Sequence, residues 1–525
     1  MSGGGSAVRP RSAPAGPSAF RPDDGGALAP SAPAGPAAAG ASTGDTSRDL
    51  SHWSFWWVLE NQRFLDLNST WSTTASPSGS SVARTGRLRP SYGVIQRDVL
   101  PRIWAQLGAT EHPDVVSSAL IALARTIDPQ RSDTEPVRAV LQDHLWHSHR
   151  RVAESAALGL GLLGTEEAGD RLAELITGDA SESTIGGWLD GRRPSSRLRA
   201  FAAHGLGLAS ERVNDSAARR RWAIALVNAL EDSNAPTVAL QVAAIQALGV
   251  IELGQQDVLD AEAVTGPHAD RVASDDALAT FLLGWSERSS GRSSWVRTHA
   301  AAAAGRAAAR ASEDVRAEII AALTKMTRDR KIASFIRTGA AIGIGEAANS
   351  GRSKADRSAR EALVSLMKRG QPLESRFARV ALAQAASRPS ADEEPFHGAT
   401  AARRILINDL VHSRSDELGW AALALGGLEW RLHRAGLTTP TDAAAALARM
   451  GKKRRGDDSS AALGLGLALT INGMDDAQRF EEHLLAEFRD VSSPLRRSFL
   501  AVALGVAGTP AAGATLYDEL KGSSG

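Results

Sequence analysis

The sequence predicts an all-α fold, a right-handed α-solenoid of helix pairs that follows a disordered N-terminal tail. Residues 196–209 give the clearest view of its repeating unit. Their apolar side chains recur at the spacing of one helical stripe, and these are Leu198, Phe201, Ala202, Gly205, Leu206 and Ala209. Glycine inside a helix costs about 1 kcal/mol relative to alanine. Close packing of a neighbouring helix backbone would offset that cost, so we expect tight contacts between helices.

Variants of this small-residue pattern recur along the chain. Their central glycines are Gly159, Gly205, Gly249, Gly305, Gly343, Gly426, Gly464 and Gly505, with spacings of 46, 44, 56, 38, 83, 38 and 41 residues. The gap of 83 is about two periods, and a degenerate copy at 376–383 divides it. A period near 40 residues with two helices per unit is typical of HEAT and armadillo arrays. Residues 91–525 are therefore predicted to form one solenoid of roughly ten pairs.

Composition narrows the classes of function. The 60 basic and 59 acidic side chains give a net charge of +1, so no overall basic surface for nucleic acid or an anionic membrane is indicated. The chain contains no cysteine, which removes disulfides, thiolate metal sites and cysteine nucleophiles. No run of 18 apolar residues is present, so no membrane span is predicted.

The N-terminal region divides into two segments. Residues 1–50 are rich in proline, alanine, glycine and serine and are predicted to be a disordered tail, because they offer too little apolar surface to bury. Residues 51–90 begin with Trp53, Trp56 and Trp57 at helical spacing. We expect this aromatic segment to cap the open end of the solenoid. The alternative is a stacking platform for a sugar, peptide or lipid.

Several stretches together resemble the HEAT repeat domain-containing proteins of planctomycete-type bacteria. They are the tryptophan block ahead of 88–91, then 99–101, 118–124 and 199–208. The resemblance implies an aromatic opening helix, a low-complexity stretch before it and an all-helical array. It supplies no catalytic residues to carry over. Many such proteins look exported behind a signal peptide. The given sequence does not begin with a recognisable one, so the chain is expected to be cytoplasmic as written, or exported if its true start lies upstream.

Two insertions interrupt the period. Residues 183–194 form a glycine-rich loop with Trp188, Arg192 and Arg193. Tryptophan and arginine are enriched at interface hot spots, and solenoid insertions often serve binding, so this loop is a candidate partner-binding site. Packing of the loop against its own repeat is the alternative. Residues 254–295 lengthen another repeat and are predicted to contain an extra helix at 277–283.

Two glycine motifs are interpreted as coincidental matches. Gly159 to Gly164 spell G-x-G-x-x-G, but a dinucleotide site needs a strand before this motif, and here it lies within a repeated helix. Gly40 to Gly44 spell the G-x-S-x-G of a nucleophile elbow, yet neither the strand nor the helix that such a turn requires is predicted. No catalytic or cofactor-binding residue is therefore predicted, and no cofactor is expected.

Two polar clusters are interpreted as residues of exposed turns or loops. His144, His147 and His149 have the density of a metal site, but they fall in a predicted turn and lack a fourth ligand, so no metal site is predicted. The basic run 452–455 could contact phosphates, although Asp457 and Asp458 follow almost at once. A solvated loop is the favoured interpretation.

The sequence thus predicts a non-enzymatic HEAT-repeat scaffold whose concave surface binds another protein. The candidate contact residues are Trp53, Trp56, Trp57, Trp188, Arg192 and Arg193. Binding of nucleic acid is not expected. The alternatives are an enzyme or nucleic-acid-binding module on a HEAT scaffold, similar to DNA glycosylases or bilin lyases, and glycan binding through the tryptophan block.

Overall fold

The computed structural model describes residues 52–54, 57, 92–129, 133–177, 193–231, 236–254, 268–287, 291–438, 440–451 and 456–522. Within these ranges every regular element is a helix, as the sequence predicts. The predicted tail at 1–50 lies outside the described residues.

The helices alternate between a first and a second member of each pair. A helical lead-in, Tyr92–Val94 and a π-helical turn Ile95–Val99, runs into the first of them. The first helices are α1 (Leu100–Ala109), α3 (Glu135–His144), α5 (Glu166–Thr177), α7 (Ser216–Glu231), α9 (Asp275–Ser286), α11 (Glu313–Arg328), α13 (Lys354–Arg369), α15 (Ala399–His412), α17 (Asp442–Gly451) and α19 (Gln478–Asp490).

The second helices carry the small-residue pattern. They are α2 (Pro113–Thr126), α4 (Arg150–Leu163), α6 (Ser196–Ser210), α8 (Val238–Val250), α10 (Ser294–Ala308), α12 (Ser334–Ala347), α14 (Pro372–Ser387), α16 (Ser415–Arg434), α18 (Asp457–Ile471) and α20 (Pro494–Ala507). The last helix, α21 (Pro510–Gly522), packs on α19 and α20. The described residues thus form ten pairs and a terminal helix, which agrees with the predicted array.

Each helix packs on its partner in the pair, and each second helix packs on the second helices of the pairs before and after it. Contacts of this neighbour-to-neighbour kind define a solenoid. The buried apolar side chains form one continuous core that runs from Trp53 to Ala512.

The small residues of the second helices bring neighbouring backbones together. A Cβ built on Gly305 of α10 would overlap the backbone of Gly343 on α12, and one on Gly161 of α4 would overlap Gly205 on α6. On α16, a Cβ at Gly426 would lie 2.5 Å from the carbonyl oxygen of Gly466 on α18. The predicted role of these glycines is confirmed, because the second helices approach too closely for any side chain.

The fifth pair differs from the sequence prediction. The helix expected around 277–283 is α9, and it is not an extra element, because it packs on α10 and α11 as the first helix of a regular pair. The additional length of this repeat lies in residues 251–274, which join α8 to α9 and include the undescribed residues 255–267. Helix α9 begins directly after Ser274, whose side chain accepts a hydrogen bond from the backbone N–H of Ala277.

Arginines that follow second helices bind the carbonyls at the end of the preceding second helix. Arg310, after α10, donates to the carbonyl of Ile251 at 2.7 Å. Arg388, after α14, donates to the carbonyl of Ala348 at 2.7 Å. These carbonyls have no partner within their own helix, so the guanidinium groups complete the helix ends and join adjacent pairs.

Among the described residues, no helix combines the length and the apolar character needed to cross a membrane.

The close contact between α10 and α12 predicts a specific cost of adding one methyl group. Gly305→Ala should lower the free energy of unfolding by about 1–3 kcal/mol, because the new Cβ forces two backbones apart. Chemical denaturation followed by circular dichroism measures this. Gly505→Ala on α20 is the matched control, since a Cβ there meets nothing within 4 Å. It should leave stability unchanged or raise it by up to about 1 kcal/mol; equal losses in both variants would contradict the packing argument.

Candidate protein-binding surface

Three large apolar side chains are exposed in the first turns of consecutive second helices. Val238 begins α8, Trp295 is the second residue of α10, and Phe335 is the second residue of α12. Their exposed fractions are 38%, 55% and 51%. The Trp295 and Phe335 rings lie 5.5 Å apart between centroids with a tilt of 33°. We call these three residues the aromatic patch.

The helix starts fix the position of the aromatic patch. Thr237 caps α8 by accepting a hydrogen bond from the N–H of Leu240, and Ser293 caps α10 by accepting one from Val296. Both caps place the first helical turn directly after them. Because the second helices stack through glycine and alanine, the aromatic patch stands on a rigid row of helix ends.

A row of polar and aromatic side chains adjoins the aromatic patch. The His299 ring stacks on Trp295 at 6.3 Å, and its Nδ1 lies 3.0 Å from the amide nitrogen of Gln246 on α8. On α6, the ring of His204 meets that of Phe201 edge to face at 6.4 Å. Burial, with a smaller contribution from the charge of His299, lowers the pKa of His204 to about 4, and burial also lowers the pKa of His299. Both rings are therefore neutral near pH 7.

Trp53 lies against second helices near the C-terminal end of the array. Its indole N–H donates to Asp458 on α18 at 2.8 Å, and its ring lies 5.1 Å from that of Phe499 on α20. A Cβ on Gly419 of α16 would overlap the indole. Trp53 thus packs on second helices of the last three pairs.

His52 completes this docking site. Its Nε2 lies 2.8 Å from the same Asp458 oxygen, while its Nδ1 accepts a hydrogen bond from the Ser54 backbone at 3.3 Å. The Nε2–H group of the ring can donate to this oxygen. The Asp458 carboxylate therefore receives two donors from the N-terminal segment. Both helices beneath are buried on every side, over 418–430 on α16 and 459–471 on α18.

The other predicted contact residues have different outcomes. Trp53 and Trp57 are 1% and 2% exposed, so their rings are core side chains in this fold. Trp56, Trp188 and Arg192 lie outside the described residues, and the roles suggested for them stay predictions. Arg193 is exposed just before α6. The sequence interpretation missed Trp295 and Phe335; the available signal was an aromatic residue at the second position of a second helix, where the other copies carry no aromatic side chain.

The histidine cluster lies in the predicted turn. His144 ends α3, and its Nδ1 donates to the carbonyl of Val140 at 2.8 Å. His147 Nδ1 accepts a hydrogen bond from the His149 backbone at 3.0 Å. In the part of the chain that the structure describes, no group of three or more histidine or acidic side chains is arranged to hold a metal ion.

Several arginines of the second helices form ion pairs with a neighbouring second helix. Arg197 on α6 contacts Glu154 on α4, with a second contact at 3.0 Å, and Arg306 on α10 lies 3.4 Å from Glu346 on α12. Arg376 on α14 donates to Glu417 at 3.1 Å. These pairs neutralise charge along the second helices, so the basic residues here serve the contact between repeats.

The described helices define a repeat protein of the HEAT and armadillo-like class. No family model and no curated protein matches the chain.

Among the solved structures that resemble it are the following three. An engineered protein from a structural genomics consortium is 17% identical, with 78% of this chain and 99% of that chain covered and a TM-score of 0.29. Importin beta in an ammonium sulfate condition is 15% identical, with 86% and 61% covered and a TM-score of 0.39. She4p is 11% identical, with 78% and 61% covered and a TM-score of 0.25. The chain thus spans about three fifths of the importin beta and She4p chains.

The hydrogen bonds at Asp458 give a sharp test of N-terminal docking. Asp458→Ala should weaken docking by about 1–3 kcal/mol, because the buried Trp53 indole N–H loses its acceptor. A red shift of tryptophan emission and faster proteolysis of the N-terminal segment measure the loss. Asp457→Ala is the matched control, as this exposed neighbour shares the first turn of α18. Identical spectra and proteolysis rates for both variants would contradict the docking.

The lowered pKa of His204 predicts acid sensitivity. The folded state keeps this ring neutral down to about pH 4, whereas the unfolded chain binds a proton near the ordinary pKa of about 6.5. Stability should therefore fall as pH drops from about 7 to 5, since the unfolded state binds more protons. Urea midpoints at these two pH values measure the slope. His204→Gln should reduce it, whereas the exposed-site control His412→Gln should keep it; an unchanged slope in His204→Gln would refute this role.

Proposed function

We propose that the chain is a non-enzymatic scaffold that binds a protein partner through the aromatic patch. The observation that carries the proposal is the pair Trp295 and Phe335, two neighbouring rings that are each half exposed on a rigid row of helix ends. Tryptophan and other aromatic side chains contribute most strongly to binding when a partner covers them. Contiguous exposed apolar patches on soluble proteins mark interaction sites.

The N-terminal segment indicates what kind of partner fits. On α16, α18 and α20 the same class of helix receives an aromatic segment, with Trp53 anchored by Asp458. The aromatic patch occupies equivalent first turns on α8, α10 and α12. We infer that its partner is a protein segment with aromatic or large aliphatic side chains, bound mainly by apolar contact.

The remaining functions have less support. A basic groove for nucleic acid is disfavoured because arginines of the second helices pair with carboxylates, such as Arg376 with Glu417. Sugar stacking on Trp53 or Trp57 would first require these buried rings to leave the core. An enzyme would need polar groups placed to act on a substrate in a ligand-sized cleft, and no predicted catalytic residue supports that alternative.

The resemblance to the HEAT repeat domain-containing proteins of planctomycete-type bacteria supports a bacterial scaffold. We propose membership of that group on the stretches that carry the resemblance, above all the tryptophan block and 199–208. A segment that caps the array remains part of this proposal for residues 51–90. The insertion with Trp188 and Arg192 is a second contact region on the same hypothesis.

Substitution of the aromatic patch tests the proposed function. The test uses a protein partner that is isolated with the wild-type chain and binds it saturably. The double variant Trp295→Ala, Phe335→Ala should weaken binding of this partner by about 2 kcal/mol or more in calorimetric titration. Tyr517→Ala on α21 is the control, because this ring has a similar exposure of 58% and lies outside the patch. Unfolding midpoints of all variants should match the wild type within about 0.5 kcal/mol.

Two results would contradict the proposal. One is the absence of any saturable protein partner for the wild-type chain. The other is equal affinity of the partner for the wild type, the double variant and the Tyr517→Ala control.

A further inference from the structure

A small cavity lies where two consecutive pairs meet, beside the turns from α11 to α12 and from α13 to α14. Its volume is about 190 Å³, and its charged lining consists of Arg328, Arg330, Arg337, Arg369 and Glu374. We call it the arginine cavity. Four guanidinium groups and one carboxylate leave the lining strongly positive, in a chain whose overall net charge is only +1.

The buried part of the lining is already neutral. Arg337 Nη2 lies 2.6 Å from Glu374 Oε1, an ion-pair distance between α12 and α14. The second Glu374 oxygen accepts a hydrogen bond from the Gln371 backbone at 3.1 Å. Arg337 Nε is buried and has no hydrogen-bond partner among the described residues. The Arg337–Glu374 ion pair therefore neutralises both charges, while Arg337 Nε is buried without a hydrogen-bond acceptor among the described residues.

The rim arginines carry the excess charge. Arg328 ends α11, Arg330 lies in the following turn and Arg369 ends α13, and all three are exposed. In the described part of the chain, none of the three has an ion pair or a side-chain hydrogen bond. This sets them apart from arginines of the second helices such as Arg306 and Arg376, which pair with carboxylates.

A helix end alone does not account for this arrangement. Basic residues in a last turn interact favourably with the helix dipole, which explains Arg328 and Arg369 one at a time. It does not explain why they share a cavity with Arg330 and with the unpaired N–H of Arg337. Converging guanidinium groups match the oxygens of a phosphate, which accept several charge-assisted hydrogen bonds at once.

We propose that the arginine cavity binds the phosphate of a phosphorylated side chain on the protein partner, an inference that rests on the proposed function. Phe335 and Arg337 both lie in the first turn of α12. Phe335 faces Trp295 of α10 and Arg337 faces Glu374 of α14, so the aromatic patch and the arginine cavity lie on two sides of the start of one helix. One partner segment can place an apolar side chain on the patch and a phosphate in the cavity. Phosphorylation would then raise the affinity of the partner, since it adds about two negative charges.

Calorimetric titration of the full chain tests the site with three probes: a short peptide with a tryptophan and a phosphoserine, its unphosphorylated counterpart, and inorganic phosphate. The phosphopeptide should bind at least about tenfold more tightly than either of the others, because only it engages both surfaces. The double variant Arg328→Gln, Arg369→Gln should abolish the difference between the two peptides. Arg357→Gln, an exposed arginine on α13 outside the cavity, should retain it.

Each other outcome overturns the inference. Equal binding of the two peptides by the wild type removes the phosphate site. Inorganic phosphate that binds as tightly as the phosphopeptide indicates a site for a free anion. Persistence of the difference in the double variant assigns the phosphate to other residues.

The proposed function fails separately, in the titrations of the aromatic patch. If the wild-type chain binds no protein partner saturably but still binds the phosphopeptide more tightly than the unphosphorylated peptide, only the scaffold function is contradicted.

Discussion

The contact between neighbouring second helices is the constraint on which the structure depends. At Gly305 and Gly343, and again at Gly426 and Gly466, one backbone approaches another so closely that a Cβ does not fit. A single contact of this type offsets the helix cost of a glycine, and its repetition sets the spacing of the pairs. Because every second helix has neighbours on both sides, the positions of all first turns follow from these contacts.

Polar groups then fix the same arrangement at the helix ends. Arg310 and Arg388 bind carbonyls of the preceding second helix, and Arg306 pairs with Glu346. These interactions use charge for contact between repeats rather than for a ligand. As a result, side chains that stand outside this pattern are informative about function, and the exposed rings of Trp295 and Phe335 are the clearest of them.

Much of the fold could be predicted from the sequence because it is repeated. The glycine spacing gave the number of pairs, and the stripe in α6 gave the buried face of a second helix. The identity of α9 was misjudged, since spacing measures the length of a repeat but does not say where in it the extra residues lie. A longer connection between helices and an additional helix lengthen the period alike.

The candidate site was harder to predict, because a single copy of the repeat carries no periodic signal. Trp295 is a single aromatic residue in one copy of the repeat, and only the structure shows that its ring is exposed. The docking of Trp53 on Asp458 joins residues separated by 405 positions, a pairing for which helical spacing offers no information. The amino-acid composition gives the number of arginines. It does not distinguish Arg376, which pairs with Glu417, from Arg369, which has no ion pair in the part of the chain that the structure describes.

A double-mutant cycle between Gly305 and Gly343 tests the central claim most directly. Once alanine at either position has forced α10 and α12 apart, the second alanine should add little, so the loss in the double variant should fall short of the sum by about 1 kcal/mol or more. Gly305→Ala with Gly466→Ala, two contacts in different pairs, should be additive within about 0.5 kcal/mol. Additive losses in both cycles would contradict an array held at its spacing by direct backbone contact.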